Sequence, residues 1–139
     1  MKNHLTHHLV KSGDLNHHGT LFAGQMSNWF VEGCFVAAAS LYKNPEGIVC
    51  LKVHGFHFYK PAQNGDILVI DTKVVRTGKT SITVYGKSVR EEDQSILVDG
   101  FITFVTVDEN GNKVPHELKN PAPKNDEEEK LQHEATQLT

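Results

Sequence analysis

The stretch Ala23–Tyr42, AGQMSNWFVEGCFVAAASLY, limits the folds open to this chain more than any other. Its 20 residues hold no proline and many good helix formers, which predicts one long helix. Met26, Trp29, Phe30, Cys34, Val36, Ala37 and Leu41 cover more than one face, and Phe35, Ala38 and Ala39 widen the apolar surface. A helix that is apolar nearly all round belongs inside a fold. At ~1.5 Å per residue it is about 30 Å long, the width of a small domain. Asn28 and Glu32 interrupt the apolar surface. Four residues apart, they share a face, and a carboxylate there is either paired, at the water-facing edge, or used for binding.

The segments around this helix have the period of strands. His4 to Lys11 forms a short, weakly alternating segment, and Ser12–Gly19 is turn-rich, with Asp14 or Asn16 placed to direct side-chain oxygens at nearby amides. After Tyr42, Pro45 and Gly47 end the helix. Residues 48–59 contain two alternating runs whose phase changes at Gly55, which predicts a bulge there. Strand patterns follow over 67–76, 80–90 and 95–108, joined by short turns. Such short connections leave no room for crossover helices. They predict an antiparallel meander with the early segment as a fifth strand. The expected architecture is α+β, a long central helix wrapped by a curved antiparallel sheet of about five strands. Its two open edges invite pairing with a second copy, which would also cover the side of the helix that one sheet cannot reach.

The chain has 139 residues, enough for one cored domain, here expected over 1–118. Residues 119–139 are expected to be a charged, solvated tail, with a frayed helix from Asp126 onward as the alternative. A formal charge of -3 from 14 basic and 17 acidic residues gives no footprint for nucleic acid or an anionic membrane. Cys34 and Cys50 are read as free buried thiols, and the absence of a signal or spanning segment gives a cytoplasmic expectation. Nine histidines are many, yet neither HExxH nor CxxC occurs, so no metal site is expected.

No GxSxG elbow, P-loop or dinucleotide fingerprint is present. What remains is Asn16, a group of backbone amides at Phe22–Gly24, and the carboxylate of Glu32. These suffice for acyl transfer to water, with amides holding the developing oxyanion and a carboxylate activating water or attacking the carbonyl. A thioester is the easiest substrate for such a set because a thiolate leaves readily. The alternative is a purely architectural loop closed by Asn16. Lys60, Arg76, Lys79, Lys87 and Arg90 are either solvated surface or partners for phosphate.

Four blocks carry a family resemblance. Asp14-Leu15-Asn16-His17-His18-Gly19-Thr20-Leu21-Phe22-Ala23-Gly24 with Met26, Trp29 and Glu32 resembles the signature of hotdog-fold acyl-CoA thioesterases of the YciA and cytosolic acyl-CoA hydrolase type. Phe58-Tyr59-Lys60-Pro61 with Gly65-Asp66, then Arg76-Thr77-Gly78-Lys79-Thr80-Ser81, then Phe104-Val105-Thr106-Val107-Asp108 with Val114-Pro115, follow in the family's order. The resemblance implies hydrolysis of acyl-CoA to free acid and coenzyme A, with no cofactor beyond the coenzyme A of the substrate. It also implies dimers, often joined as trimers of dimers, with active sites between subunits. Asn16 and Gly24 then belong with Glu32 as catalytic positions, Gly19 borders the oxyanion region, and Arg76, Gly78, Lys79, Thr80 and Ser81 lie where coenzyme A passes. One departure stands out. The family's helix aspartate aligns with Val31, one place before Glu32, and one residue turns a side chain by ~100° around a helix. Two other readings therefore stay open: an acyl-CoA-binding protein with weak or no turnover, and a hydrolase of another thioester such as acyl carrier protein.

Overall fold

The computed structural model describes residues 1–138, and its elements follow the apolar periodicity closely. Strand β1 (His4–Leu9) precedes helix α1 (Ala23–Tyr42), and strands β2 (Ile48–Phe58), β3 (Ile67–Thr77), β4 (Ser81–Arg90) and β5 (Ile96–Thr106) follow it. A second helix, α2 (Asp126–Thr136), closes the order. Lys43 takes the left-handed conformation (φ 63°) and donates its N–H to Ala39 O at 2.7 Å, stopping α1 just ahead of Pro45.

All strand pairs are antiparallel, in the spatial order β1-β3-β4-β5-β2. The expected meander therefore holds only for β3-β4-β5. Strand β2 pairs with β5 at the far edge, and residues 59–66 cross the end of the sheet to reach β3. The register of β2 shifts between Val53 and Phe56, around Gly55 with φ +108°. A Cβ built on the facing Gly100 would stand 2.5 Å from Gly55 O, so the kinked strand lies directly against its neighbour's backbone.

Helix α1 lies across β3 and β4. Met26, Phe30, Gly33, Cys34, Ala37 and Ala38 face inward onto Leu68, Ile70, Val74, Ile82, Val84, Ile102 and Phe104. Two glycines set the spacing. A Cβ on Gly33 would stand 2.7 Å from Ile70 Cγ2, and one on Gly86 would stand 2.8 Å from Phe30 Cζ and 3.0 Å from Cys34 Sγ. At this separation buried Thr72 donates its hydroxyl to Gly33 O at 2.8 Å, tying helix to sheet. One sheet covers only one side of a helix, so Asn28, Glu32, Val36 and Ser40, each four residues from the next, are exposed. The apolar-all-round helix is thus not enclosed by its own chain. Cys34 is buried, which pushes its thiol pKa up, while Cys50 on edge strand β2 is exposed, contrary to expectation.

Residues 126–136 depart from the expected solvated tail and follow the alternative of a helix from Asp126 onward, since they form α2, which packs on the opposite face of the sheet. Asn125 accepts the Glu128 N–H at 2.8 Å as an N-cap, and four acidic residues occupy the first turn, where the helix dipole favours them. Leu131 and Ala135, four apart, pack on Val75, Tyr85 and Phe101. Buried Glu128 accepts the Lys124 N–H at 3.0 Å and lies 3.4 Å from Lys73 Nζ. Leu131 and Ala135 are the apolar residues of this helix that reach the sheet, too few for periodicity to reveal that it docks. Among the described residues no helix is long and apolar enough to cross a membrane.

Two outcomes test this packing. Gly86→Ala is expected to overpack the helix–sheet contact by about 2 kcal/mol, read as a lower midpoint in urea with an unchanged slope. The Glu128 carboxyl is held below its ordinary value of 4.5 by the Lys124 N–H and then by Lys73. A depressed carboxylate contributes stability above its unfolded pKa and loses it as pH falls through the folded one. Hydrogen exchange in residues 126–136 should therefore accelerate below pH 4.5 before the α1 core opens. An equal acceleration of both would refute a local origin.

Candidate active site

The loop before α1 is built from its own polar residues. Lys11 N–H donates to Asp14 Oδ2 at 2.9 Å, and Asn16 Oδ1 accepts the N–H groups of His18 at 2.9 Å and Thr20 at 3.2 Å. Gly19, at φ +79°, makes the tight reversal between them and returns its N–H to Asn16 O at 3.0 Å. The crossing segment holds this loop against the end of the sheet, with Leu21 N donating to Ala62 O at 2.9 Å and Val10 N to Asp66 O at 2.9 Å. Asn16 thus closes the loop and also lines a cleft of about 300 Å³ with Leu21, Ala23, Met26, Phe58, Tyr59 and Lys60.

The helix begins without a side-chain cap, because its N-cap residue is Phe22. The Phe22 N–H is taken by Asp14 O at 2.9 Å, which removes it from the expected amide group. The Ala23 and Gly24 N–H groups have no acceptor among the described residues, and both residues are exposed. Two free donors at the positive end of a 20-residue helix are suited to an oxyanion. The Phe22 ring lies over Gly24, leaving no space for a Cβ there.

A polar relay that sequence reasoning did not assemble runs along the same surface. Asp14 Oδ1 accepts Gln25 Nε2–H at 3.0 Å, and Gln25 Oε1 accepts Asn28 Nδ2–H at 3.3 Å. The Lys11 amide, then the Gln25 side chain, keep the Asp14 carboxyl below its ordinary pKa. Gln25 was the missing member, since an isolated glutamine in a helix carries no signal. Asp14, Gly24, Gln25 and Asn28 line a second, open cleft of about 460 Å³.

Glu32 joins neither cleft. It is exposed one turn beyond Trp29, whose ring stacks on His8 of β1 at 4.4 Å and 10°, so Glu32 leans toward the β1 side. Val31 shares a face with Phe35, which meets Phe104 of β5 on the other flank. Within one chain Asn16 and Glu32 are therefore not brought together.

Nor are Asn16 and the Arg76–Ser81 block. The block forms the β3–β4 turn at the far end of β3, whose 11 residues end at Thr77. At ~3.3 Å per residue the two regions are on the order of 30 Å apart. Gly78 N donates to Ser81 O at 2.9 Å, Lys79 is exposed, and Arg76 is half-buried. Lys60 is the basic residue beside Asn16, whereas Arg90 is fully engaged by Asp66, Asp93, Ser95 and Pro61. No three His, Cys, Asp or Glu side chains gather at metal-binding distance among the described residues.

The sequence model of the thioesterase superfamily matches residues 18–97, more than half of the chain, spanning the glycine turn, α1 and the sheet through β5's start. The chain belongs to the thioesterase superfamily. Among relatives of this thioesterase-superfamily chain, the uncharacterized acyl-CoA thioester hydrolase YkhA of Bacillus subtilis is 27% identical over 128 residues, covering 89% of this chain and 72% of its own. An uncharacterized acyl-CoA thioester hydrolase of Buchnera aphidicola is 29% identical over 119 residues, covering 79% and 84%. An apo hexameric acyl-CoA thioesterase superposes with a TM-score of 0.85 at 27% identity, covering 97% of this chain and 86% of its own. In fold, the acyl-CoA hydrolase of Staphylococcus aureus, solved with butyryl coenzyme A, coenzyme A and coenzyme A disulfide, is as similar, with a TM-score of 0.86 at 24% identity over 97% and 80%. The five-stranded sheet and its long helix are a hotdog fold.

Asn16→Ala is expected to open the loop at a cost of about 1–2 kcal/mol, since the His18 and Thr20 amides lose their shared acceptor. Hydrogen exchange at those two amides should rise while the β4 amides stay protected. Unchanged exchange at both would remove Asn16 from the closure of the loop.

Proposed function

We propose that this protein hydrolyses acyl-CoA thioesters to free acid and coenzyme A at sites formed between copies of the chain, in the cytoplasm. The observation that carries the reading is the pair of free Ala23 and Gly24 amides beside the Asn16 loop, on a fold of the thioesterase superfamily. Those amides receive the carbonyl oxygen as it gains charge. Glu32 of a neighbouring copy takes a proton from water, whose oxygen bonds to the carbonyl carbon, and the C–S bond breaks. The thiolate leaves as coenzyme A and recovers the proton, so the reaction consumes water and needs no separate cofactor.

Assembly is part of the proposal because the Asn16 loop and the Arg76–Ser81 turn lie at opposite ends of one sheet. Exposed Val49, Leu51, Val53 and Phe58 on edge strand β2, and the open face of α1, support pairing with a second copy. A similar acyl-CoA thioesterase is hexameric, which supports self-association of this chain, and a trimer of dimers is the arrangement proposed. In that assembly Gly19 borders the oxyanion region and Arg76, Gly78, Lys79, Thr80 and Ser81 meet coenzyme A, an assignment that rests on the motif resemblance of these residues.

A second reading, acyl-CoA binding with feeble turnover, is favoured by one observation: Glu32 leans toward Trp29 and His8, and no carboxylate lines the Asn16 cleft. Thiol release from short, medium and long acyl-CoAs separates the two. Hydrolysis predicts measurable release and at least a ~100-fold fall in Glu32→Gln; unchanged rates would reject that carboxylate. Binding alone predicts calorimetric uptake of acyl-CoA, background release, and a gain of activity in Val31→Asp.

A further inference from the structure

The β3–β4 turn is held from outside by a segment that none of the recognition blocks explains. After β5 the chain reverses through residues 107–113 and returns over the turn, with Val114 N donating to Thr106 O at 2.9 Å. His116, only 8% exposed, then makes three hydrogen bonds. Its backbone N–H donates to Lys79 O at 3.2 Å, its Nδ1 accepts the Leu118 N–H at 2.9 Å, and its Nε2 meets Ser81 O at 3.0 Å. Four residues on from His116, Asn120 Oδ1 accepts the Thr77 N–H at 2.9 Å.

These partners determine the state of the ring. Nδ1 faces an N–H and must offer a lone pair, while Nε2 faces a carbonyl and must carry the proton. With Nδ1 accepting the Leu118 N–H, Nε2 is the ring nitrogen placed to donate to Ser81 O, and the imidazole spans from Leu118 to Ser81. Every contact it makes on the turn is to backbone, at Lys79 and Ser81, and Asn120 adds Thr77. The Arg76 and Lys79 side chains have no hydrogen-bond or ion-pair partner among the described residues. A rigid backbone carrying unengaged cations is a preorganised receptor for a polyanion, because the ordering entropy of the turn is lost on folding rather than on binding.

We propose that His116 is a positioning residue for substrate, clamping residues 77–81 so that Arg76, Lys79 and their neighbours meet the phosphates of coenzyme A. The inference rests on the reading that this turn contacts coenzyme A. His116 touches no reacting atom, and its effect falls on binding rather than on the chemical step.

The test is steady-state thiol release and calorimetric titration with coenzyme A, using the full chain in its native assembly. His116→Ala should raise KM and the Kd for coenzyme A by about 10-fold while kcat stays within about twofold, the pattern of lost uniform binding. His116→Gln, whose amide N–H reaches toward Ser81 O, should recover most of the affinity, whereas His116→Asn should not. Asn120→Ala, which frees the Thr77 N–H from the surface, should weaken binding in the same direction and covers the case in which His116→Ala does not fold. Wild type that binds coenzyme A as tightly as both His116→Ala and Asn120→Ala would overturn the clamp alone. A fall in kcat with KM unchanged would overturn it too. Wild type that does not bind coenzyme A would overturn the clamp together with the functional reading beneath it.

Discussion

Everything in this fold depends on how closely the backbone of α1 approaches the sheet. Gly33 on the helix and Gly86 on β4 remove the two side chains that would hold the layers apart, and Thr72 reaches the Gly33 carbonyl at 2.8 Å. The hydroxyl is buried, and unpaired it would cost 1–3 kcal/mol, so the contact selects one seating of the helix. That seating brings the start of the helix over the end of the sheet where residues 59–66 cross, and the Asn16 loop is pinned against that crossing. The free Ala23 and Gly24 amides follow from a core contact about two and a half turns away along the helix.

The sheet serves two helices in different ways. On its inner face the contact is apolar and extensive. On its outer face α2 is seated by Leu131, Ala135 and buried Glu128, which pairs with both Lys73 Nζ at 3.4 Å and the Met1 amino group at 3.5 Å. A buried pair contributes modestly to net stability, but removing one partner leaves a charge stranded, so it selects a single docked position. With α2 over one part of the outer face, the apolar surface left open lies on edge strand β2 and along the exposed stripe of α1.

The functional reading has a geometric consequence. Asn16 and the β3–β4 turn sit at opposite ends of one sheet, and no motion within a chain brings such ends together. The proposed interchain site meets this requirement if the partner sets its turn end beside the other chain's loop end. The clamp at His116 suits that arrangement, because a turn presented to another subunit has to hold its shape without help from its own active-site loop.

The chain's pattern of apolar residues determined the long helix and the number of strands, and its glycines marked the Gly19 reversal and the Gly55 kink, because these depend on neighbours within a few residues. The motif order pointed to the hotdog fold for the same local reason. What only tertiary structure decided was which groups became partners across the chain. Strand β2 pairs with β5 rather than β3, the Phe22 amide is consumed by Asp14, Gln25 links Asp14 to Asn28, and α2 is ordered by a lysine 55 residues away. The placement of Glu32 belongs to the same class. Its one-residue offset from Val31 is visible in the sequence, but the side it faces follows from which helix face the Gly33 and Gly86 contact turned inward. Pairings of this kind are set by close packing, which couples residues through space, whereas periodicity reports only on residues adjacent along the chain.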